Sequence, residues 1–345
     1  KWKKKEKFMN ATMLLEKTKH YPVMLNQILS IISPQHGGSF IDCTFGGGGY
    51  SKEILKFPNT KVIAIDRDRL SEAPASKLLK KFPNRFNFFR DKFSRISKII
   101  NVSFNPRVII FDLGLSSFQL ADKKRGFSFN SQNFLNMEMG INKYSAYDVI
   151  NTLDKEYLAN IIKVLGEEKD GKIIANKIVK YRNIQPIKSS YELAKIITEA
   201  KKSFKKNKKN PATKTFQAIR IFVNRELTEL MQGLIEATKL LSNGGILIVV
   251  SFHSLEDKIV KNFFNLYSNL RKNPSRYFPM KDNGISLFKS ISKKPLVPDL
   301  QELKENNSSR SAKLRYAVRN NNSFFQPIEF ENKFENYFEL EGFRL

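Results

Sequence analysis

The chain has 345 residues, and its 60 Lys and Arg against 33 Asp and Glu give a formal net charge of +27. This excess of positive charge favours a polyanionic partner, because phosphate contacts release counterions. A compositional bias towards Lys, Asn, Ile and Phe contributes to the excess. Charge alone does not distinguish RNA from DNA or anionic lipid as the partner. The single cysteine excludes an internal disulfide, three scattered histidines predict no dedicated metal site, and no apolar run approaches the ~20 residues of a membrane span.

The first 19 residues form a basic segment without the apolar stretch of a signal peptide. Glu6 and Glu16 depart from the acid-poor pattern of an organellar transit segment. We therefore expect an exposed basic extension over residues 1–19.

Four short apolar runs, each ending in a polar residue, predict the strands of a parallel sheet. They cover residues 39–42, 61–66, 107–112 and 245–251. Continuous runs rich in Val and Ile are typical of strands buried on both faces, and the helical patterns 23–32 and 228–241 that alternate with them indicate a doubly wound α/β fold. Ligands bind beyond the carboxyl ends of such strands, where Asp42, Asp66, Asp112 and Ser251 would lie.

The third and fourth runs are separated by far more chain than one crossover helix needs. Helical patterns fill this stretch at residues 146–152, 156–165, 171–181 and 190–200. We interpret residues 119–210 as a helical insertion domain. It ends in a lysine-rich run, residues 201–211, which predicts an exposed loop or, alternatively, an RNA clamp.

Four consecutive glycines, Gly46 to Gly49, lie between the first strand and the next helix. Glycine is needed where the backbone turns sharply or approaches a ligand closely, although a purely structural turn has the same composition. The dinucleotide fingerprint Gly-x-Gly-x-x-Gly fails, because Ser51 or Lys52 stands where the third glycine belongs.

Asp66 ends the second strand 24 residues after Asp42. A carboxylate at this place can accept hydrogen bonds from both hydroxyls of an adenosine ribose. Strand, glycine turn, helix, strand and acid together indicate a nucleoside cofactor. The failed fingerprint and the lack of a clear catalytic His or Tyr-Lys arrangement favour S-adenosylmethionine over NAD.

Blocks of sequence that run from about residue 20 to residue 320 carry a family resemblance. They are residues 20–24, 42–51, 64–68, 112–120, 125–129, 166–169, 210–220, 250–257 and 310–315. With these blocks the chain resembles the bacterial (cytosine-N4)-methyltransferases of small-subunit 16S ribosomal RNA and their mitochondrial relatives.

The resemblance implies a Rossmann-like class I methyltransferase sheet with an inserted helical domain, and S-adenosylmethionine as methyl donor. The core would comprise residues 20–118 and 211–320, with the insertion at 119–210 recognising substrate and a tail at 321–345. The target would be one cytosine near the decoding centre, and the substrate would be either free 16S RNA or the assembled small ribosomal subunit. The compartment implied is the cytoplasm, or the mitochondrial matrix of a eukaryote; the oligomeric state stays open.

By motif position, the resemblance implies cofactor contacts at Gly48, Gly49, Tyr50, Asp66, Phe93, Asp112 and Gln119. The glycine loop would pass beneath the methionine moiety, and Asp66 would hold the ribose. Phe93 and Asp112 would flank the adenine and the sulfonium, and Gln119 would begin the connection into the insertion.

This chain departs from the family pattern at several positions. Tyr50 stands where the family usually has His, a change that a backbone contact survives. Asn136, Glu138 and Gly140 replace the Asp, Arg and Asp of a loop, and Lys214 replaces an Arg, which loses a bidentate fork. Asn210 likewise stands in place of a His.

Asp112 is the candidate catalytic residue. The exocyclic amine of cytosine is a poor nucleophile and needs close positioning and an acceptor for its proton. Asp112-Leu113-Gly114-Leu115 replaces the Asp/Asn-Pro-Pro-aromatic motif common among amino-methyltransferases, so we expect Asp112 or a nearby backbone carbonyl to accept the proton. Alternatively, Asp112 only orients the cofactor.

Substrate contacts are expected at Phe252, which could stack on a flipped base, and at His253, which could hydrogen-bond it. Arg220 and Asn224 lie four residues apart on one helix face and could reach RNA together with Lys214. Packing or solvation is the alternative at each position. For the whole chain, the competing hypotheses are a methyltransferase of proteins or small molecules and a non-catalytic RNA-binding or assembly protein.

Overall fold

A computed structural model of the protein describes residues 22–201, 210–268 and 286–342. The expected basic extension, residues 1–19, and residues 202–209 of the lysine-rich run lie outside these ranges. The chain divides into two structural units, one of Lys1–Gly114 with Glu229–Phe334 and one of Leu115–Thr228 with Glu335–Leu345.

The first unit is built on a sheet that has seven strands in the described part of the chain. The strands are β1 (Gly38–Asp42), β2 (Thr60–Ile65), β3 (Phe86–Phe89), β4 (Val108–Asp112), β5 (Ile246–Ser251), β6 (Phe288–Ile291) and β7 (Lys313–Arg319). Their order is β3-β2-β1-β4-β5-β7-β6; the first five are parallel, and β7 pairs antiparallel with both β5 and β6. This confirms the Rossmann-like α/β fold.

Both units contain helices. In chain order they are α1 (Leu25–Ile32), α2 (Gly49–Ile54), α3 (Glu72–Lys81), α4 (Ile96–Ile99), α5 (Ser117–Ala121), α6 (Ala146–Thr152), α7 (Lys155–Leu165), α8 (Gly171–Arg182), α9 (Ser190–Ala200), α10 (Thr213–Asn224), α11 (Glu226–Leu240), α12 (Ser254–Leu266), α13 (Leu300–Glu305), α14 (Ile328–Lys333) and α15 (Glu335–Gly342). None of those described is long and apolar enough to cross a lipid bilayer.

The four predicted strands are confirmed as β1, β2, β4 and β5, and most of their side chains are buried, as expected of strands covered on both faces. The direction of strand addition reverses at β1, which lies between β2 and β4. In open parallel sheets, ligands bind outside the carboxyl ends of the strands at such a switch point. Asp42 and Asp112 end these two strands, and Asp66 directly follows β2.

The predicted helices at 146–152, 156–165, 171–181 and 190–200 are present as α6 to α9, with bounds that differ by at most one residue. Capping explains the sharp starts, since Ser145 with Asp148 and Ser189 with Glu192 form reciprocal capping boxes. The second unit nevertheless extends beyond the expected insertion 119–210, since it also contains α10 and α15.

Asn224, the last residue of α10, explains why that helix belongs to the second unit. Its buried side-chain amide donates to the carbonyl oxygens of Met137 at 2.9 Å and Arg220 at 2.8 Å. Its oxygen accepts from the Met139 N–H at 2.8 Å and from the Asn142 side chain at 2.9 Å. Asn224 therefore fixes the loop 137–142 on α10.

Replacing Asn224 by Ala should destabilise the protein by about 2–5 kcal/mol, because the buried Met139 N–H and Met137 carbonyl would lose their partner. Denaturant unfolding followed by circular dichroism measures the change. The control is Asn130→Ala in the same unit, where the side chain is exposed and a change within about 0.5 kcal/mol is expected. Equal stability of the two variants would contradict the assigned role.

Candidate active site

The glycine loop turns the chain from β1 into α2. Gly46 and Gly48 have φ of 51° and 79°, in the left-handed region that favours glycine. A Cβ atom on Gly48 would lie 2.6 Å from Cζ of Phe45, and one on Gly49 would lie 2.4 Å from Cγ of Pro22. Larger residues at these two positions would therefore displace the loop.

Asp42 holds this loop from inside. The Ser51 hydroxyl donates to Asp42 Oδ2 at 2.7 Å, and the Thr44 N–H approaches Oδ1 at 3.3 Å. Asp42 is fully buried, and this burial raises the pKa of its carboxyl to about 6. Ser51, which breaks the dinucleotide fingerprint, thus has a structural role of its own.

Asp66 lies directly against the glycine loop. It accepts from the Gly46 N–H at 2.6 Å and from the Asp68 N–H at 2.7 Å, one bond on each carboxylate oxygen. Each oxygen has a second lone pair, so hydroxyl groups of a ligand can still donate to it. Burial raises the pKa of Asp66 to about 6.

Asp112 ends β4 beside the same loop, where its N–H donates to the Thr44 hydroxyl oxygen at 2.7 Å. Its Oδ2 lies 3.2 Å from the Tyr50 hydroxyl. Its Oδ1 is buried and has no hydrogen-bond partner among the described residues. Burial, together with the acidic side chains Asp42, Glu256 and Glu302, raises the pKa of Asp112 to about 8.

The side chain of Tyr50 is a feature that the sequence analysis missed, since only a backbone contact was expected there. The ring is buried, and its hydroxyl donates to the Val23 carbonyl oxygen at 2.5 Å. The next N–H, that of Met24, donates to Glu302 Oε1 at 2.6 Å. Glu302 is 278 residues away in sequence, and no sequence signal indicated this contact.

Phe93 and Phe252 border the carboxyl edge of the sheet. Phe93 is half-buried on a turn after β3, and its ring packs edge-to-face on Phe111 at 5.1 Å between centroids. Phe252 follows β5 and packs against Gly114, where a Cβ atom would lie 3.3 Å from its ring. Both rings are packed on one side and partly exposed, and their expected contacts with cofactor and base stay predictions.

His253 is the N-cap residue of α12. Its Nδ1 accepts from the Glu256 N–H at 3.4 Å, and the Glu256 carboxylate accepts from the N–H groups of His253 at 3.3 Å and Phe252 at 2.8 Å. His253 Nε2 lies 3.1 Å from Glu256 Oε1, but this approach lacks hydrogen-bond geometry, and within the described ranges Nε2 has no partner. The structure thus gives His253 a capping role, and the expected contact with a base stays a prediction.

The remaining expected site residues belong to the second unit. The Gln119 side chain is buried and forms a capping box with Ser116 at the start of α5. Arg220 makes a bidentate ion pair with Glu226, with both N–O distances 2.8 Å. Lys214 is exposed, and its Nζ donates to the Glu167 carbonyl at 2.7 Å.

For Asn224, the structure corrects the expected RNA contact. The side chain has no exposed surface and all of its hydrogen-bonding groups bind protein atoms, so it supports the 137–142 loop and offers nothing to a ligand. Asn136 and Glu138, two of the three departures from the family at residues 136–140, bond to each other: the Glu138 N–H donates to Asn136 at 2.7 Å, and the Asn136 amide donates to Glu138 at 3.1 Å.

The first unit thus gathers Asp66, Tyr50 and Asp112 around the glycine loop, and Asp42, Glu256 and Glu302 are near enough to raise the pKa of Asp112. Carboxylates with spare lone pairs suit a ligand that carries hydroxyl donors and positive charge. The unpaired, buried Oδ1 of Asp112 indicates that a ligand completes this site. S-adenosylmethionine fits these acceptors, because its ribose hydroxyls can donate to them and its ammonium and sulfonium groups are positively charged.

The raised pKa of Asp112 predicts a pH dependence of stability. Because the folded protein holds this proton more tightly than the unfolded chain, where the pKa is near 3.8, the stabilisation is full below about pH 4 and is lost as the pH rises through about 8. Asn cannot titrate. The free energy of unfolding of Asp112→Asn minus that of wild type should therefore grow between about pH 5 and about pH 8, by at most about 1.4 kcal/mol per pH unit.

Urea unfolding across this pH range measures the difference. Asp170→Asn, which removes an exposed carboxyl from the second unit, controls for the loss of one charge. Parallel pH profiles of Asp112→Asn and wild type would show that Asp112 has no raised pKa.

Comparisons with known proteins identify the family. The model of the MraW methylase family matches residues 17–320. The chain is 44% identical over 304 residues to the ribosomal RNA small subunit methyltransferase H of Ehrlichia chaffeensis, an alignment that covers 87% of this chain and 99% of that protein. Proteins of the same name from Orientia tsutsugamushi and Afipia carboxidovorans are 42% and 40% identical over 88% and 89% of this chain, and 98% and 92% of their own lengths. The family resemblance of the sequence is confirmed, and the chain belongs to the MraW methylase family.

Proposed function

We propose that this protein transfers a methyl group from S-adenosylmethionine to the exocyclic N4 of one cytosine in small-subunit 16S ribosomal RNA, near the decoding centre. The observation that carries the proposal is Asp112, a buried carboxyl with one unpaired oxygen at the switch point of the sheet, beside a glycine loop tied to Asp66. The relatives named ribosomal RNA small subunit methyltransferase H support the choice of RNA.

Several groups of the first unit would hold the cofactor. Asp66 would accept from the ribose hydroxyls with its free lone pairs, while Gly48, Gly49 and Tyr50 keep the backbone close to the methionine moiety. Phe93 would contact the adenine. When bound, S-adenosylmethionine supplies an electrophilic methyl group on a positively charged sulfur.

Asp112 would act on the cytosine amine. The lone pair of this amine is delocalised into the ring, so attack requires that a base take the proton as the new N–C bond forms. The unpaired Oδ1 of Asp112 is the acceptor that this chain offers at the end of β4. If Asp112 only orients the cofactor, a backbone carbonyl must accept the proton instead.

RNA contacts would come from both units. The net charge of +27 favours phosphate binding, and the half-buried Phe252 offers a ring face to a flipped base. Lys214 is exposed and can contact phosphate. Arg220 is already paired with Glu226, so its contribution to RNA binding is expected to be smaller than that of Lys214.

The decisive experiment offers the protein three substrates: small ribosomal subunits, free 16S RNA and protein. Radiolabelled S-adenosylmethionine reports the transfer, and mass spectrometry of the digested RNA locates N4-methylcytosine. We expect label in RNA with wild type and at least a 100-fold slower transfer with Asp112→Ala, which loses the proton acceptor.

Calorimetry separates the roles of Asp112. Intact cofactor binding by Asp112→Ala with lost methylation supports a proton acceptor, whereas lost binding supports an orienting role. Label only in protein, or no transfer to any of the three, would overturn the proposed function.

Asp66→Ala should weaken S-adenosylmethionine binding about 10- to 100-fold, because hydrogen bonds to a charged group contribute about 1.5–3 kcal/mol. Isothermal titration calorimetry measures the Kd. Glu53→Ala is the matched control, since this carboxylate lies on α2 but pairs with Lys56 at the surface. An unchanged Kd for Asp66→Ala would remove Asp66 from the cofactor site.

A further inference from the structure

The Tyr50 hydroxyl lies between two oxygen atoms but has only one proton to donate. It is 2.5 Å from the Val23 carbonyl oxygen and 3.2 Å from Asp112 Oδ2. A carbonyl oxygen can only accept a hydrogen bond. The shorter contact therefore takes the hydroxyl proton, and Tyr50 presents a lone pair to Asp112.

The Val23 carbonyl is held in this direction by the other side of its own peptide group. The Met24 N–H donates to Glu302 at 2.6 Å, which fixes the orientation of the Val23–Met24 peptide plane. Turning the carbonyl away from Tyr50 would break both bonds. The backbone that precedes α1 therefore fixes the hydrogen bond from Tyr50 to the Val23 carbonyl oxygen.

An ionised Asp112 would have no proton to share with the Tyr50 oxygen, and two lone pairs would face each other. Among the described residues, the charged groups with the largest effect on the pKa of Asp112 are Asp42, Glu256 and Glu302, all of them acidic. Its other oxygen, Oδ1, has no donor within the described part of the chain. Both observations favour the neutral carboxyl. Burial acts in the same direction: it raises the pKa of Asp112 to about 8 even when Tyr50 is taken to donate to Asp112, a hydrogen bond that would lower this pKa.

We propose that Asp112 of the ligand-free protein is a neutral acid that donates its proton to Tyr50, and that binding of a sulfonium cofactor expels this proton and leaves Asp112 as a carboxylate. The second half rests on the proposed function. A positive charge nearby favours the ionised form of a carboxyl. Tyr50 is then a positioning residue that holds Asp112 protonated until the methyl donor is bound.

The proton balance of one turnover closes. The first proton passes from Asp112 Oδ2 to the solvent when the cofactor binds, while Tyr50 keeps its own proton. In the transfer, the bond from sulfur to the methyl carbon breaks, the bond from cytosine N4 to that carbon forms, and the amine proton passes to Asp112. The sulfur of the product is a neutral thioether, so Asp112 again stays neutral, and exchange with solvent returns its proton from Oδ1 to Oδ2.

Tyr50→Phe distinguishes the two possible directions of the hydrogen bond. If Tyr50 accepts from Asp112, loss of the hydroxyl destabilises the neutral acid and the pKa of Asp112 falls, by about one pH unit for one ordinary hydrogen bond. If Tyr50 donates to an Asp112 carboxylate, the same substitution raises that pKa.

The first test uses the full-length protein without cofactor. Carbon-13 NMR of protein labelled at the Asp carboxyl carbons, with the Asp112 signal assigned from Asp112→Asn, gives the titration. We expect Asp112 of wild type to titrate above pH 7 and lower in Tyr50→Phe. Tyr267→Phe is the control, because it removes a buried hydroxyl that accepts from the Phe330 N–H and should leave Asp112 unchanged. A pKa that rises or stays the same in Tyr50→Phe overturns the proposal.

The second test needs no variant. Calorimetry at pH 7 in buffers of different ionisation enthalpy counts the protons released on binding. S-adenosylmethionine should release close to one proton per site and S-adenosylhomocysteine, which lacks the positive charge, far fewer. Binding of both without a difference in proton release overturns the proposal and leaves the proposed function standing. Failure of S-adenosylmethionine to bind overturns the proposed function, while the NMR titration still decides the state of Asp112 on its own.

Discussion

The structure depends on how buried carboxyl groups are accommodated at the carboxyl edge of the sheet. Asp42 is satisfied by Ser51 and Thr44, and Asp66 by the N–H groups of Gly46 and Asp68. The donors belong to the glycine loop or to the turn after β2. The conformation of the loop therefore depends on its bonds to the two carboxyl groups as well as on its glycines. Burying acidic groups without a counter-charge raises their pKa and costs stability, which is typical of functional sites.

Asp112 differs from these neighbours because its surroundings supply too few donors. Its main chain is fixed by Thr44, yet its carboxyl has one contact with Tyr50 and one unpaired oxygen. A site that leaves a buried acid incomplete in the free protein can gain interaction energy from a ligand that completes it. The lack of hydrogen-bond donors around Asp112 thus lowers the stability of the free protein and at the same time provides affinity for a cation.

Much of the fold follows from local sequence, and the errors have identifiable causes. Runs such as 107–112 and 245–251 predicted their strands because burial on both faces leaves a continuous apolar pattern. β3 escaped prediction because its four residues alternate in exposure, and β6 because only its first residue is buried. Asn224 was expected at the surface since helix periodicity shows which residues share a face, not which loop covers that face. The Glu302 contact with Met24 depends on the fold and has no local signature.

The substitution at position 50 bears directly on the chemistry of the site. The histidine that the family usually has there could change its own protonation near neutral pH, and either ring nitrogen could then donate or accept. Burial and the nearby Asp112 raise the pKa of Tyr50 well above its ordinary value, so its hydroxyl stays neutral. With its one proton given to Val23, Tyr50 can only accept from Asp112. In this chain, therefore, only Asp112 of these two residues gains or loses a proton, and Tyr50 stays neutral throughout.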